Sequence, residues 1–207
     1  MKRQPIPHPG GSPNARTVAS YEQIADDYAR ETAGAGVLSG GLTRLAETVP
    51  AGHVLEIGSG PGWDADALEE AGLTVRRTDI TQAFIEFQRA RGKVVDRLDA
   101  INDDVGGPYD AVVTLHVLQH VEQDDLPAVL TKVAGALRPG GRFLVSIPLG
   151  EGAGWEVGES GNRYYRALRS EAEFIAALAQ AGLKSEWTER SVHDEETGWL
   201  CVLAQLR

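Results

Sequence analysis

VLEIGSGPGWD, residues 54–64, runs from an apolar stretch through an acidic residue, Glu56, and then places glycine at every second position: Gly58, Gly60 and Gly62. Backbone that needs positive φ, or that must touch a ligand directly, tolerates only glycine without strain. Residues 64–70 follow with Ala65, Ala67 and Leu68, a helix-forming composition. The stretch therefore reads as strand, glycine loop and helix, with the first helical N–H groups turned toward a ligand. Its spacing, G-x-G-x-G, departs from the dinucleotide fingerprint G-x-G-x-x-G, whose third glycine lets helix and strand pack closely.

A second strand signal at residues 73–78 delivers Asp79 about twenty residues beyond the loop, the position of a ribose-hydroxyl acceptor. An ionised carboxylate there takes two hydroxyl donors in charge-assisted bonds. The same residue also suits a helix N-cap before residues 81–90, and the two roles are compatible.

Beyond the loop, YDAVVTLH (109–116) reads as a later strand, and ALRPGGRFLVSI (136–147) as a helix end, a turn and a further strand. With GSGPGWDADALEEAG (58–72) and HVEQDDLPAVL (120–130), these segments resemble the class I S-adenosylmethionine-dependent methyltransferases, in particular small bacterial members, over roughly residues 50–207. The resemblance implies an α/β fold, a Rossmann-like three-layer sandwich. Its seven-stranded sheet is mostly parallel, with an antiparallel C-terminal strand at the edge. It implies S-adenosyl-L-methionine as cofactor and S-adenosyl-L-homocysteine as product. Gly58, Ser59 and Gly60 would then border the methionine part, with Glu56 holding that region by hydrogen bonds. Asp79 would meet the ribose and Asp99 with Ala100 the adenine, and Tyr28, Ile80, Leu115 and His116 would complete the cofactor-binding set.

With 207 residues and 42% apolar composition, the chain fills one core and is too short for two large domains. Residues 1–17 hold Pro5, Pro7, Pro9 and Pro13 with little apolar periodicity, so a disordered tail is expected. Residues 18–50 read as an N-terminal helical lid and 51–207 as the cofactor-binding domain. Neither a secretory leader nor a run of ~20 apolar residues is evident, so a cytoplasmic protein without membrane attachment is expected. The single cysteine, Cys201, lies in an apolar run and reads as a buried inert thiol. A net charge of −10 with scattered basic residues argues against nucleic acid as substrate. A small molecule is the expected partner, for a monomer or homodimer.

Strand signals near 53–57, 73–78, 94–98, 110–115, 142–147, 184–190 and 198–205 alternate with helix signals near 18–31, 38–48, 64–71, 81–91, 124–137 and 170–181. Alternation of this kind builds a parallel sheet covered on both faces. Ser170 followed by Glu173 marks a capping box at the start of the last helix. Ligands of such sheets bind beyond the carboxyl ends of the strands. Glu56, Gly58, Asp79, Asp99 and His116 all fall there.

Methyl transfer requires a nucleophile held close to the methyl carbon and water kept out. His116 and His120, four apart and expected on one helical face, are the candidate general bases; the alternative is that His116 lines the cofactor while His120 caps or packs. A metal held by the same pair needs a third ligand, which only residues 193–196 could bring, and no metal is expected. Tyr21 and Tyr28, seven apart on an N-terminal helix, suit a lid over cofactor or substrate. Trp155 on a glycine-hinged loop, with Arg163 and Tyr164 beyond it, suits substrate binding. Trp63, after the glycines, reads as a packing residue. The end of the fourth strand lacks the Asn/Asp-Pro-Pro-Tyr element of amino-methylating nucleic-acid enzymes, which leaves small-molecule O- or N-methylation. The alternatives are a protein of this fold that binds the cofactor as a regulator or for another reaction, and, more remotely, a nicotinamide oxidoreductase.

Overall fold

A computed structural model of the protein describes residues 11–34, 40–158, 161–192 and 198–207. Three helices, α1 (Pro13–Tyr21), α2 (Ala25–Glu31) and α3 (Gly40–Thr48), precede the alternating part. That part comprises β1 (His53–Ile57), α4 (Trp63–Glu70), β2 (Thr74–Asp79), α5 (Gln82–Ala90), β3 (Val95–Arg97) and β4 (Tyr109–Thr114). A 3-10 turn (Leu118–His120), α6 (Leu126–Ala136) and β5 (Leu137–Pro148) follow. The chain then makes β6 (Ala153–Val157), β7 (Arg163–Ala167), α7 (Glu171–Gln180), β8 (Leu183–Val192) and β9 (Gly198–Leu206).

Seven strands form one sheet in the order β3-β2-β1-β4-β5-β9-β8. All pairings from β3 to β5 are parallel, and β9 runs antiparallel between β5 and β8. The antiparallel strand is therefore inserted one place in from the edge, which β8 occupies. Each central strand is apolar on both faces because both are covered. Val54, Ala111, Val113, Leu144 and Leu203 pack with Leu42 and Leu45 of α3 and Leu68 of α4. Their neighbours Leu55, Val112, Phe143, Val145 and Val202 pack with Val129, Leu130 and Val133 of α6 and Phe174 of α7. This is the expected three-layer sandwich. The capping box forms as read, with Ser170 Oγ accepting from Glu173 N and Glu173 Oε2 accepting from Ser170 N. Among the described residues no helix is long and apolar enough to cross a membrane. Burial pushes the Cys201 thiol up to about 12, as an inert cysteine requires.

Three expectations change. The first helix starts at Pro13, inside the stretch read as a tail, because Ser12 caps it through Ala15 N and proline is favoured at the first helical position. Residues 1–10 lie outside the described residues. The N-terminal segment is two helices rather than one: the chain breaks at residues 22–24, where the Glu22 carboxylate accepts from the Gln82 and Ala83 N–H groups and so caps α5. The glycine-hinged loop is an ordered antiparallel ribbon, with Trp155 opposite Tyr165 and Glu156 opposite Tyr164.

Buried Arg77 on β2 ties α4 to the sheet through Asp66 and Glu69, which Lys93 also pairs and, at Asp66, Arg91. Burial raises the Asp66 carboxyl, but hydrogen bonds from Lys93, Arg77 and Arg91 outweigh it and hold the group at about 2. A carboxylate depressed in the folded state adds stability above its ordinary value near 3.8, and that stability is lost as pH falls toward 2. The expected loss is about 1–2 kcal/mol after allowance for solvent screening. Urea midpoints measured from pH 5 to pH 2 check this, since Asp66→Asn should flatten the curve and an unaltered slope would exclude the network as its source.

Candidate cofactor and acceptor site

Strand order reverses between β1 and β4, so a cleft opens beyond their carboxyl ends. Gly58 and Gly60 there have φ of 72° and 52°, inside the left-handed region. A Cβ on Gly58 would come within 2.5 Å of Val117 Cγ2, whereas one on Gly60 would meet nothing within 4 Å. Gly60 is thus glycine for its conformation and for the open space beside it. Ser59 faces the protein instead: its hydroxyl accepts from Gln88 Nε2 at 2.7 Å.

Both Asp79 oxygens reach backbone, Oδ2 accepting from Gly60 N and Oδ1 from Thr81 N, each at 2.8 Å. Asp79 therefore joins the glycine loop to the start of α5, and each oxygen keeps a lone pair for a hydroxyl donor. Burial raises its carboxyl, and the Thr81 and Gly60 N–H groups oppose that rise. Ile80 sits half-buried beside it. Glu56 is buried and its Oε2 has no hydrogen-bond partner among the described residues. Burial, then the charge of Asp64, push the Glu56 carboxyl well above the usual carboxylate range. A buried unpartnered acceptor at this place suits an ammonium donor, whose charge would restore the ionised form. The α-amino group of a methionine moiety meets that requirement.

Asp99 closes the turn after β3, its Oδ1 accepting from Ile101 and Asn102 N and its Oδ2 from Asn102 Nδ2, while Lys132 Nζ approaches Ala100 O at 3.5 Å. Trp63 packs under the Arg91 guanidinium at 4.3 Å and donates to Thr32 Oγ1, the packing role expected of it.

The two histidines do not share a helical face. Leu115, half-buried, leads into His116, which takes φ 57° in a tight turn. Left-handed backbone of this kind is uncommon outside glycine and costs about 1 kcal/mol or more. His116 N donates to Ser146 Oγ, and its ring packs on Trp199 of β9 at 4.3 Å. His120 ends the 3-10 turn, which buried Arg169 fixes by donating to Leu118 O and Val121 O. His120 Nδ1 donates to Tyr165 O at 2.7 Å, which fixes the tautomer and leaves Nε2 as an acceptor facing the Tyr21 hydroxyl at 3.4 Å. Burial lowers the imidazole to about 4. Residues 193–196, the expected source of a third metal ligand, lie outside the described residues, and no three metal-ligating side chains converge among those described.

Tyr21 and Tyr28, though on different helices, meet edge to face at 5.6 Å, and both pack on Phe84 of α5. Burial raises both phenols. The ribbon's alternation separates the substrate residues expected from the sequence. Tyr164 faces inward, its ring 5.6 Å from that of His120. Trp155 and Arg163 lie on the other face, where Trp155 packs against Tyr165 and under Arg16. Their places at the site are taken by Glu156, one residue beyond Trp155, and Arg166, three beyond Arg163, in the same strands. Glu156 Oε2 accepts from Arg166 Nη1 at 2.8 Å and Tyr164 Oη at 3.1 Å, and the Arg166 guanidinium lies 5.3 Å from the Trp199 ring. Burial, then the charge of Glu156, push the Tyr164 phenol up to about 12. Reading residues 153–157 and 163–167 with period two would have found the Glu156 and Arg166 pair.

Residues 55–143 match a family described as a methyltransferase domain. A ubiquinone biosynthesis O-methyltransferase of Xylella fastidiosa (strain 9a5c) is 30% identical over 166 residues, covering 70% of this chain and 67% of the relative. The chain belongs to the class I S-adenosylmethionine-dependent methyltransferase superfamily. Its cofactor is S-adenosylmethionine. Two further X. fastidiosa proteins of the same description are also 30% identical, with 61% of their length covered, so the chain spans 61–67% of the length of these curated relatives. In fold it is similar to 1,6-didemethyltoxoflavin-N1-methyltransferase of Burkholderia thailandensis, solved with 1,6-didemethyltoxoflavin and S-adenosylhomocysteine. That likeness has a TM-score of 0.72 at 19% identity, over 98% of this chain and 93% of the other. A DhpI complex with S-adenosylhomocysteine gives 0.71 at 24%, over 92% and 95%.

Proposed function

We propose that the protein transfers a methyl group from S-adenosylmethionine to an oxygen or nitrogen of a small planar metabolite. The acceptor would lie between the β6–β7 ribbon and the carboxyl edge of the sheet. One observation carries this reading: Tyr21 touches both Phe84, on the helix capped beside Asp79, and His120, on the ribbon side, so cofactor and acceptor groups meet across one ring. Among relatives, both an O-methyltransferase and an N-methyltransferase are found, and the first acts in ubiquinone biosynthesis by its description. The choice between oxygen and nitrogen is left to the assay below.

S-adenosylmethionine, held by Asp79, Glu56 and the glycine loop, would supply a sulfonium-bound methyl group open to displacement by an acceptor lone pair, with S-adenosylhomocysteine as the leaving group. The chain's own contribution is placement and dryness. Asp79 and Glu56 are read as holding the ribose and the amino group, with Asp99 at the adenine. Tyr28, Phe84 and Tyr164 exclude water. His120 Nε2, uncharged, receives the proton that a hydroxyl or N–H acceptor gives up. Helix α1, tied to the ribbon by Arg163 N donating to Ser20 Oγ and Tyr165 N to Thr17 Oγ1, forms the cover together with α2.

The test incubates the protein with S-adenosylmethionine and a panel of phenols, catechols and nitrogen heterocycles, and follows S-adenosylhomocysteine by chromatography. Acceptor-dependent product is expected; cofactor binding without product on any acceptor would support the regulator reading instead. With an acceptor in hand, Arg166→Met is expected to raise its KM roughly tenfold, the scale of one charged hydrogen bond, while the Kd for S-adenosylhomocysteine stays put. An unchanged acceptor KM would remove Arg166 from the acceptor site.

A further inference from the structure

The third glycine of the loop sits at an odd spacing for a nucleotide motif, and its surroundings differ from those of Gly60. A Cβ on Gly62 would lie 2.4 Å from Gln88 Oε1 and 2.8 Å from Arg77 Nη1. Two buried polar side chains thus occupy the space behind the loop. Gln88, on α5, is fully buried and donates through Nε2 to Ser59 Oγ at 2.7 Å and Gly60 O at 2.8 Å. Its Oε1 accepts from Arg77 Nη1 at 3.1 Å, and the same nitrogen reaches Gly62 O at 3.3 Å. Arg77 is itself immobilised, Nε donating to Glu69 Oε1 at 2.9 Å and Nη2 to Asp66 Oδ1 at 2.6 Å.

We propose that Arg77 and Gln88 are positioning residues for the cofactor: a clamp that holds residues 59–62 from behind in the conformation S-adenosylmethionine binds. Core packing alone does not call for this arrangement. A buried guanidinium and a buried amide are costly unless their hydrogen bonds are made, and apolar side chains of similar volume fill a core more cheaply. Here the bonds not spent on fixing Arg77 go to three of the four residues of the loop, Ser59, Gly60 and Gly62. With Asp79 holding Gly60 N from the other side, the loop is fixed at both its donor and its acceptor groups. Preorganisation of this kind removes ordering cost from ligand binding. The proposal rests on the loop being the cofactor loop.

Two variants separate positioning from packing. Gln88→Leu keeps the volume and removes both bonds that Gln88 makes to the loop. Gln88→Glu keeps the shape and Arg77's partner but opposes the Gly60 carbonyl with a carboxylate. Both are assayed at a temperature where circular dichroism shows them fully folded, by calorimetric titration with S-adenosylhomocysteine and by amide hydrogen exchange of residues 59–62 without ligand. The expected result is a Kd raised roughly tenfold and exchange accelerated at least about tenfold in both variants. A lowered Tm with Kd and exchange within about twofold of wild type would overturn the proposal, since a merely structural role moves only the Tm. Should the leucine variant not fold, the glutamate variant carries the same test. If the wild-type protein itself did not bind S-adenosylhomocysteine, the cofactor assignment of the loop would fail, and the exchange rates would still decide whether the clamp exists.

Discussion

Asp79→Ala is expected to weaken S-adenosylhomocysteine binding roughly 10- to 100-fold in calorimetric titration, the equivalent of about 1–3 kcal/mol for a charged acceptor lost from a buried site. Two effects add in one residue. In the proposed reading the carboxylate accepts from the ribose hydroxyls, and it joins Gly60 N to Thr81 N, so its removal releases the loop and the start of α5 together. Asp79→Asn is expected to be nearly as damaging. One oxygen becomes an amide donor, and it must then face a backbone N–H that already needs an acceptor. Acid should mimic the substitution: because burial raises this carboxyl, it takes up its proton at a higher pH than an exposed aspartate, and affinity declines as pH falls toward that point. A variant with reduced thermal stability and undiminished affinity would make Asp79 a loop brace and nothing more.

The parts of this site that are legible in the sequence are those whose physics is local. Gly58 and Gly60 advertise positive φ, Asp79 stands at the end of a strand signal, and Ser170 with Glu173 declares a helix start by side-chain chemistry three residues apart. What escapes sequence reading depends on partners far along the chain. The start of α1 shows no apolar stripe because it docks through polar groups, Thr17 and Ser20, whose hydroxyls accept from the edge N–H groups of β7 almost 150 residues later. The break after Tyr21 is set by Glu22 capping a helix sixty residues on. In the ribbon, glycine content and mixed polarity read as a loop. Without a strand there is no parity, so Trp155 and Arg163 stand out by residue type while Glu156 and Arg166 do the facing. Ser59 lies inside the motif yet faces Gln88, a residue no local pattern links to it. Likewise Gly62 looks like part of a ligand cradle, whereas its φ of 89° and the closeness of Arg77 and Gln88 account for it.

For catalysis the largest effect is expected at His120. Its Nδ1–H is committed to the Tyr165 carbonyl, so the lone pair is on Nε2, beside Tyr21 and within the aromatic wall that includes Tyr164. His120→Phe preserves the ring contacts and removes that lone pair; kcat is expected to fall by roughly 10²–10⁴, the range for a lost general base, while S-adenosylhomocysteine affinity is retained. The pH profile separates this role from mere shape. Burial lowers the imidazole to about 4, so the neutral, proton-accepting form already prevails well below neutrality. The acidic limb contributed by His120 should therefore lie near pH 4 rather than near 6.5, and kcat/KM should be flat on its account from about pH 5.5 upward. His116→Ala offers the contrast. Its ring packs on Trp199 rather than against Tyr21, and its loss is expected to alter acceptor KM more than kcat. Undiminished kcat in His120→Phe on an acceptor that must lose a proton would assign the base elsewhere, and not to the neighbouring Tyr21 hydroxyl, which burial keeps protonated.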